Sequence, residues 1–189
     1  MEKNELRRII RERKASHSAK DLAKMSEAVC RSLMNDGAWR AAGVVLLYHA
    51  LSDEVDTDML IRSAEMQNKT VLLPVVVGDD LELRLYEGKE SLLPGPFGIL
   101  EPTGQVFPEN KYHMIDFAVI PGMAFDSHCN RLGRGKGYYD RLLPRLINAM
   151  KIGVCFPFQF IEAIPSEPHD VKVNEVVSGV APMSLGWQK

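Results

Sequence analysis

The chain has 189 residues, of which 46% are apolar and 25% are charged. This length and composition are typical of one soluble globular domain, and they exclude the disordered, fibrous and membrane-embedded classes. The formal net charge of -2 excludes a general positive field, so we expect neither nucleic acid nor a membrane surface as a partner.

The periodicity of apolar residues predicts an alternation of helices and strands along the chain. In chain order, the predicted elements are helices over 2–14 and 20–34, a strand over 43–48, a helix over 58–67, strands over 71–77, 81–86 and 117–120, a helix over 138–150, and strands over 152–156 and 173–180. Such alternation is typical of a parallel sheet with helices on its faces. The predicted fold class is therefore α/β: a single three-layer domain over residues 1–189 with a mostly parallel sheet flanked by helices. Pro144 should kink the helix predicted over 138–150, or mark its late start, because proline lacks an amide hydrogen.

The stretch from Leu93 to Pro108 is rich in proline and glycine, which disfavours both helix and strand. Long loops inside compact domains are often functional. Because Phe97, Ile99 and Leu100 are apolar, we expect an ordered loop that lines a binding site. Phe97 could equally be tucked into the core.

The segment from Arg131 to Asp140, with the sequence RLGRGKGYYD, is the strongest indication of function. It has glycine on alternate positions with cations between them, and it lies between a predicted strand and a predicted helix. Glycines let the backbone approach a ligand closely and turn its amides toward an anion, and the start of the following helix favours negative charge. Arg131, Arg134 and Lys136 add full positive charges. We expect this segment to bind phosphate groups.

Other interpretations of the same segment stay open. Its spacing matches neither the Walker loop nor the dinucleotide fingerprint, and a solvated basic turn has the same composition. Asp140 could stabilise the start of the helix or hold Mg²⁺ beside the phosphates. Asp126, just after a predicted strand, could contact a ligand or initiate a turn.

The three cysteines, Cys30, Cys129 and Cys155, are an odd number without a close pair. This pattern suits a reducing compartment and argues against a disulfide framework or a sulfur-bound metal cluster. The charged first residues do not resemble a secretory signal. We therefore expect a cytoplasmic protein. The sequence does not determine the oligomeric state, for which a monomer is favoured.

Taken together, these residues resemble the 5-formyltetrahydrofolate cyclo-ligase family, also called methenyltetrahydrofolate synthetase. The matching residues are Lys3 to Arg7, Asp53 to Thr57, Pro121 to Asp126 and, most specifically, Arg131 to Arg141. The resemblance extends from the first helix to about Val177. It implies ATP- and Mg²⁺-dependent cyclisation of the small-molecule substrate 5-formyltetrahydrofolate to 5,10-methenyltetrahydrofolate, through a phosphorylated formyl group and with release of ADP and phosphate.

The resemblance also implies roles for individual residues. Arg134, Lys136 and Tyr138 would be catalytic, and His49, Glu54, Phe97 and Tyr138 would contact the folate. The residues implied in ATP binding are Lys3, Arg7, Arg131, Leu132, Gly133, Arg134, Gly135, Lys136, Gly137, Tyr138 and Tyr139. Without the resemblance, Lys3 and Arg7 would be interpreted as a solvated helix face.

Asp140 and Asn174 are the implied metal ligands, although the family usually has Asp at the second position. A neutral amide oxygen leaves less negative charge around the ion. We therefore expect weaker Mg²⁺ binding than in a relative with Asp, and a gain of affinity in Asn174→Asp.

Two other functions fit parts of the sequence. A sugar-phosphate isomerase on a similar scaffold would bind phosphate without consuming ATP, and it would need a base such as Glu54. An RNA-binding module would use the basic turn together with stacking on Tyr138 and Tyr139. Its electrostatic footprint would be unusually small.

Overall fold

The computed structural model describes residues 2–95 and 98–179. The helices are α1 (Lys3–Ala15), α2 (Ala19–Met34), α3 (Gly37–Ala41), α4 (Asp58–Met66) and α5 (Tyr138–Leu142). The strands are β1 (Val44–Leu46), β2 (Thr70–Val77), β3 (Asp80–Leu85), β4 (Leu92–Pro94), β5 (Leu100–Pro102), β6 (Phe117–Pro121), β7 (Ala124–Asp126), β8 (Arg131–Leu132), β9 (Met150–Val154), β10 (Phe160–Ile161) and β11 (Glu175–Val177).

Six strands form the central sheet in the order β11-β9-β6-β1-β2-β3. All neighbouring pairs are parallel except β2 with β3, which is an antiparallel hairpin at one edge. The chain runs from β1 outward to β2 and β3 and then returns to the other side of β1 as β6. This reversal creates a crevice at the carboxyl ends of β1 and β6, where ligands commonly bind in open α/β sheets.

Apolar residues on alternate positions of the central strands form two cores, one on each face of the sheet. Val45 and Leu47 pack against α2, α3 and α4 on one face, in a cluster that includes Trp39. Leu46 and Leu72 point the other way and pack with residues of α5 and of the following turn. The strands are thus buried on both sides, as parallel sheets require. The predicted mostly parallel three-layer arrangement is confirmed.

A second sheet of three short strands, in the order β10-β7-β8, supports α1. Leu6 and Ile10 of α1 pack against Met123, Ala124 and Leu132 in a separate buried cluster. The helix that begins the chain is therefore seated directly over the strand that leads into the glycine-rich segment.

Short polar residues fix the starts of the early helices. Ser18 and Asp21 form a reciprocal capping box at the beginning of α2, which satisfies backbone amides that have no partner within the helix. Asp36 accepts hydrogen bonds from the amides of Ala38 and Trp39. Asp36 therefore begins α3, a short helix that was not predicted, directly after α2, which ends at Met34 as predicted.

Two predictions for the chain after β3 are wrong, and the first concerns the helix predicted over 138–150. The helix predicted over 138–150 stops at Leu142, is followed by a 3-10 turn at Leu143–Arg145, and gives way to β9 from Met150. Pro144 explains the stop, because its ring fits only the first positions of a helical turn.

The stretch 93–108 was predicted to contain no strand, but β4 and β5 form an antiparallel pair there. Prolines stand at the ends of both strands, Pro94 opposite Leu100 and Pro102 opposite Leu92. Proline is tolerated at such positions of a two-stranded ribbon. The last strand, predicted over 173–180, is observed at Glu175–Val177, and residue 180 lies outside the described residues.

Cys30, Cys129 and Cys155 are free thiols, as expected. Within residues 2–95 and 98–179, every helix is too short or too polar to cross a membrane.

Candidate active site

A cleft of about 390 Å³ lies at the carboxyl ends of β1 and β6, where the strand order reverses. Its walls come from the residues after β1, the β2–β3 hairpin, the loop that leads into β5, and the glycine-rich segment. The lining includes Tyr48, His49, Leu51, Glu54, Pro74, Val76, Leu81, Ile99, Glu101, Pro121, Gly122, and residues 131 and 133–140. The cleft is thus apolar on one side and strongly polar on the other, as small-molecule sites commonly are.

A larger groove of about 560 Å³ runs between α1 and residues 161–165. It is lined mainly by aliphatic side chains such as Leu6, Ile9 and Ile161. Its charged residues are Arg13 and Glu162, and it contains none of the predicted site residues. We therefore assign the chemistry to the smaller cleft.

The glycines of the segment are required by its backbone shape. Gly135 and Gly137 have φ angles of +102° and +72°, a region that other residues rarely adopt. Gly133 has a different role, because a Cβ atom there would lie 2.9 Å from Nη1 of Arg131. The segment therefore folds over the Arg131 side chain and exposes its backbone along the cleft.

Arg131 is a buried cation beneath this segment, with only 4% of its side chain exposed. Its Nη2 donates to Oδ1 of Asp140 at 2.9 Å, and its guanidinium lies over the ring of Tyr139. Its Nε has no hydrogen-bond partner among the described residues. Asp140 therefore has a clear structural role as the counter-ion of Arg131, and one carboxylate oxygen is committed to it.

Arg134 crosses from the glycine-rich segment to the turn after β1. Its Nη2 lies 2.6 Å from Oδ1 of Asp53 and 3.0 Å from Oε1 of Glu54, and its Nε lies 3.1 Å from the same Glu54 oxygen. Burial acts against the charge of Arg134, but the two carboxylates outweigh it and raise the pKa of Arg134. The predicted phosphate-binding arginine and the predicted folate-binding carboxylate are thus in direct contact.

Lys136 is exposed, as Arg134 is, but it differs from both arginines because it has no ion-pair partner within the described parts of the chain. Its backbone carbonyl accepts a hydrogen bond from Arg141, which fixes the loop but leaves the ammonium group free. Lys136 lines the cleft. It is therefore a cation that can meet a phosphate without first breaking a contact.

The two predicted residues of α1 have different positions. Arg7 donates from Nε to the carbonyl of Gly133 at 2.9 Å and lies beside Gly135, so it supports the glycine-rich segment directly. Lys3 instead pairs with Asp170 at 2.6 Å and with Glu167 at 3.3 Å. It is absent from the cleft lining and would have to release Asp170 to reach a nucleotide.

The predicted folate-side residues His49 and Glu54 both line the cleft, as do Tyr138 and Tyr139. Glu54 is 13% exposed, and its second oxygen accepts the amide of Leu51. Burial raises the pKa of Tyr139, so this phenol stays protonated at neutral pH. Phe97 lies outside the described residues, but Ile99 and Glu101 from the same stretch line the cleft.

The structure does not bring Asn174 to Asp140. The Oδ1 of Asn174 accepts the amide of Lys151 at 2.8 Å, at the amino-terminal end of β9. Lys151 is paired with Ala118 at the start of β6, whereas the cleft lies beyond Pro121 at the other end of that strand. The predicted pair of metal ligands is therefore not assembled.

Asp126 proves to be the centre of a tight turn. It is 1% exposed, and its carboxylate accepts from the amides of His128, Asn130 and Ile164 and from the side chain of Asn130. These hydrogen bonds lower the pKa of Asp126 against the opposing effect of burial. Of the two open interpretations, the structure supports the turn.

Asp53 and Lys14 were not predicted as parts of the site. Asp53 was named only among the residues that carry the family resemblance, although its carboxylate contacts both Lys14 and Arg134. Lys14 follows Arg7 by seven residues, two helical turns, and so lies on the same side of α1. That spacing was a usable signal.

Comparison with known proteins agrees with this geometry. A model described as the 5-formyltetrahydrofolate cyclo-ligase family matches residues 1–179. The chain belongs to this family. It is therefore an enzyme of the ligase class, which favours that function over the isomerase and the RNA-binding module.

Among relatives, a 5-formyltetrahydrofolate cyclo-ligase of Haemophilus influenzae is 31% identical over 182 residues, which cover 94% of this chain and 97% of the relative. A solved structure from Aquifex aeolicus, described as a 5,10-methenyltetrahydrofolate synthetase, superposes with a TM-score of 0.84 at 34% identity and covers 96% of this chain and 91% of that one. A structure from Mycoplasma pneumoniae has a TM-score of 0.76 at 23% identity, covers 95% of this chain and 99% of that one, and supports the fold alone.

Proposed function

We propose that this enzyme closes 5-formyltetrahydrofolate to 5,10-methenyltetrahydrofolate and consumes ATP in the reaction, with Mg²⁺ as the accompanying cation. The observation that supports this most directly is the Arg134–Glu54 contact. It joins the glycine-rich segment, which we propose to bind phosphate, to a carboxylate that suits a flat nitrogen heterocycle, and both line the same cleft.

The chemistry requires both walls. A formyl oxygen is a poor leaving group until it is phosphorylated, and phosphoryl transfer depends chiefly on positioning and charge neutralisation. In the proposed reaction the formyl oxygen takes the γ-phosphoryl group and ADP leaves. N10 then attacks the activated carbon and loses its proton, and phosphate departs with the former formyl oxygen and takes up that proton. Every step uses atoms of the two substrates, so no protein nucleophile is needed.

The glycine-rich segment would hold the triphosphate. Lys136 supplies an exposed charge, Arg134 supplies a second one after it exchanges a carboxylate for phosphate, and the backbone from Gly133 to Gly137 supplies amides. Helix α5 spans only Tyr138–Leu142, so its dipole contributes less than the sequence suggested, since few peptide dipoles are aligned. The side-chain cations and the loop amides therefore bear most of the proposed binding. Arg7 would support the loop from behind through Gly133.

The apolar wall would receive the folate. Pro74, Val76 and Ile99 offer a surface for a flat ring, while the Glu54 carboxylate can accept hydrogen bonds from ring and amino N–H groups. His49 and Tyr138 line the same cleft and would border the formyl group. The guanidinium of Arg131 lies over the ring of Tyr139, so we assign Tyr139 a packing role against Arg131.

The residues present fit Mg²⁺ only as an ion carried on the nucleotide. Arg131 occupies one oxygen of Asp140, and Asp53 and Glu54 are paired with Arg134, so few carboxylate oxygens beside the glycine-rich segment are free; Glu101 also lines the cleft, from β5. Magnesium in nucleotide sites is commonly held by one or two carboxylates plus phosphate oxygens. We propose that the remaining oxygen of Asp140 takes part, and Asn174 is not included because of its position. When bound, the ion would neutralise developing charge on the phosphates.

A direct test combines protein, ATP, Mg²⁺ and 5-formyltetrahydrofolate and follows the ultraviolet absorbance of the methenyl product together with ADP release. We expect ADP and product to appear in equal amounts, and neither to appear without the folate. Product formation without ATP would contradict the proposed activation step. ADP release independent of the folate would contradict the proposed coupling of the two reactions.

A further inference from the structure

Lys14, near the end of α1, is a lysine with only 7% of its side chain exposed. Its ammonium group donates to Oδ2 of Asp53 at 3.1 Å. Burial lowers the pKa of Lys14, although Asp53 acts in the opposite direction. Burying an ammonium group is costly unless it is paired, so the contact with Asp53 is the main support for a charged Lys14, with a smaller contribution from Glu54.

Asp53 depends on Lys14 for its position. Within the described residues, its carboxylate bonds only Lys14, through Oδ2, and Arg134, through Oδ1 at 2.6 Å. Glu54 differs, because its second oxygen accepts the amide of Leu51 at 3.1 Å and is fixed by its own turn. The side chain of Asp53 is 39% exposed and that of Arg134 is 42% exposed. Among the residues that the structure describes, Lys14 is thus the only well-buried group that anchors Asp53.

The charges of the four groups balance. Lys14 and Arg134 are positive, and Asp53 and Glu54 are negative. Removal of the Lys14 charge would leave a net negative cluster beside the segment that is proposed to bind a triphosphate. Charges this close interact strongly where water is partly excluded.

We propose that Lys14 is a positioning residue for the nucleotide: through Asp53 it holds the Arg134 guanidinium at the edge of the cleft and offsets the carboxylate charge that would repel phosphate. This inference rests on the proposed function, since it takes Arg134 as a phosphate ligand. Lys14 does not line the cleft, so it acts on the nucleotide only through Asp53 and Arg134.

The test is a double-mutant cycle of Lys14→Met and Asp53→Asn. Methionine keeps the length and apolar stem of the buried side chain while removing its charge. The dissociation constant of ATP with Mg²⁺ is measured by calorimetry without folate, and the KM for 5-formyltetrahydrofolate is measured separately. Thermal unfolding without ligands reports the structural cost of each substitution.

We expect Lys14→Met to weaken ATP binding by about tenfold, and to change the folate KM by less than about threefold. In the Asp53→Asn background the same lysine substitution should change ATP binding by less than about threefold, because the carboxylate through which it acts is gone. An equal effect in both backgrounds, or no effect in either, would overturn the proposal. Lys14→Gln, which retains a hydrogen-bond donor but no charge, should show the same tenfold loss and replaces Lys14→Met if that variant does not fold.

Arg8→Met is the matched control, since it removes one positive charge from an exposed position of the same helix. It should leave ATP binding unchanged within about twofold, because exposed charges are screened by water and salt. Titration of the wild type with ATP distinguishes failure of the proposed function from failure of the proposed role of Lys14. If the wild type does not bind ATP, the proposed function fails; if it binds ATP and the cycle shows no coupling, only the role of Lys14 fails.

Discussion

The turn at 126–130 and the glycine-rich segment at 131–140 are adjacent in the chain, yet they satisfy their charges in opposite ways. The carboxylate of Asp126 is buried and accepts four hydrogen bonds from its own turn and from Ile164. In the second segment, Lys136 and Arg134 are both exposed, and among the described residues Arg134 is held only by side chains from another turn. A charge with fixed internal partners supports the fold, whereas a charge with exchangeable partners, or with none in the described structure, is available to a ligand.

The largest effect is expected when the exposed charge of Lys136 is removed. Lys136→Ala should reduce methenyl product formation by about 100-fold to 1,000-fold, because a cation that faces the transferred phosphoryl group stabilises the transition state. Its exposure predicts an unfolding midpoint close to that of the wild type. The measurement is steady-state absorbance together with thermal unfolding. Full activity would show that the exposed cation of the segment is dispensable. It would then be wrong to distinguish Lys136 from Asp126 as the charge that binds a ligand.

Removing the charge of Asp126 should instead reduce stability. Asp126→Asn should lower the free energy of unfolding by about 2–3 kcal/mol, because the amide NH₂ would face the N–H of Ile164 or the amide of Asn130 while the charge is lost. Denaturant titration of both proteins measures this cost. If stability is unchanged while activity disappears, Asp126 belongs to the site and the assignment as a turn residue is wrong.

The carboxylate of Asp126 also makes the free energy of unfolding depend on pH. The pKa of Asp126 in the folded protein lies below its ordinary value of 3.8, so its stabilising contribution is complete above that value and declines as the pH falls through the folded pKa. The difference in unfolding free energy between wild type and Asp126→Asn should therefore be constant from pH 7 to about 5 and should shrink under more acidic conditions. A difference that grows on acidification would contradict the hydrogen-bonding pattern.

Glycine substitutions test whether the backbone shape of the glycine-rich segment requires glycine. Gly137→Ala should cost about 1–2 kcal/mol of unfolding free energy, because Gly137 has a φ of +72°, which strains a residue with a Cβ atom. Gly37→Ala is the matched control. A Cβ there meets no atom within 4 Å, and we expect that substitution to be neutral or slightly stabilising. Equal effects at the two positions would contradict the proposed role of loop shape.

The smallest effect is expected at Asn174. In Asn174→Asp the new side chain can still accept the amide of Lys151, and the residue lies at the amino-terminal end of β9, away from the cleft. We therefore expect the Mg²⁺ concentration for half-maximal activity to change by less than about twofold, in place of the gain that the sequence suggested. A large shift would mean that the closing segment reaches the nucleotide in the working enzyme.

The features that could be predicted from the sequence are those with a local pattern. The alternation of apolar residues predicted the central strands because each is buried on both faces, and the glycine-cation alternation of 131–140 predicted a ligand-binding loop because few other roles require it. Helix length after Tyr138 was overestimated, although Pro144 already indicated the reason. The strands β7, β8 and β10 were missed because runs of two or three residues have no measurable period.

Which charged side chains are in contact depends on the tertiary structure. Lys14 and Asp53 are 39 residues apart, and Asp53 and Arg134 are 81 apart, so their contacts depend on the path of the chain over the sheet and not on any local pattern. The same path separates Asn174 from Asp140. Periodicity determines which face of an element is buried, but only the packing of elements determines which side chains face each other across a cleft.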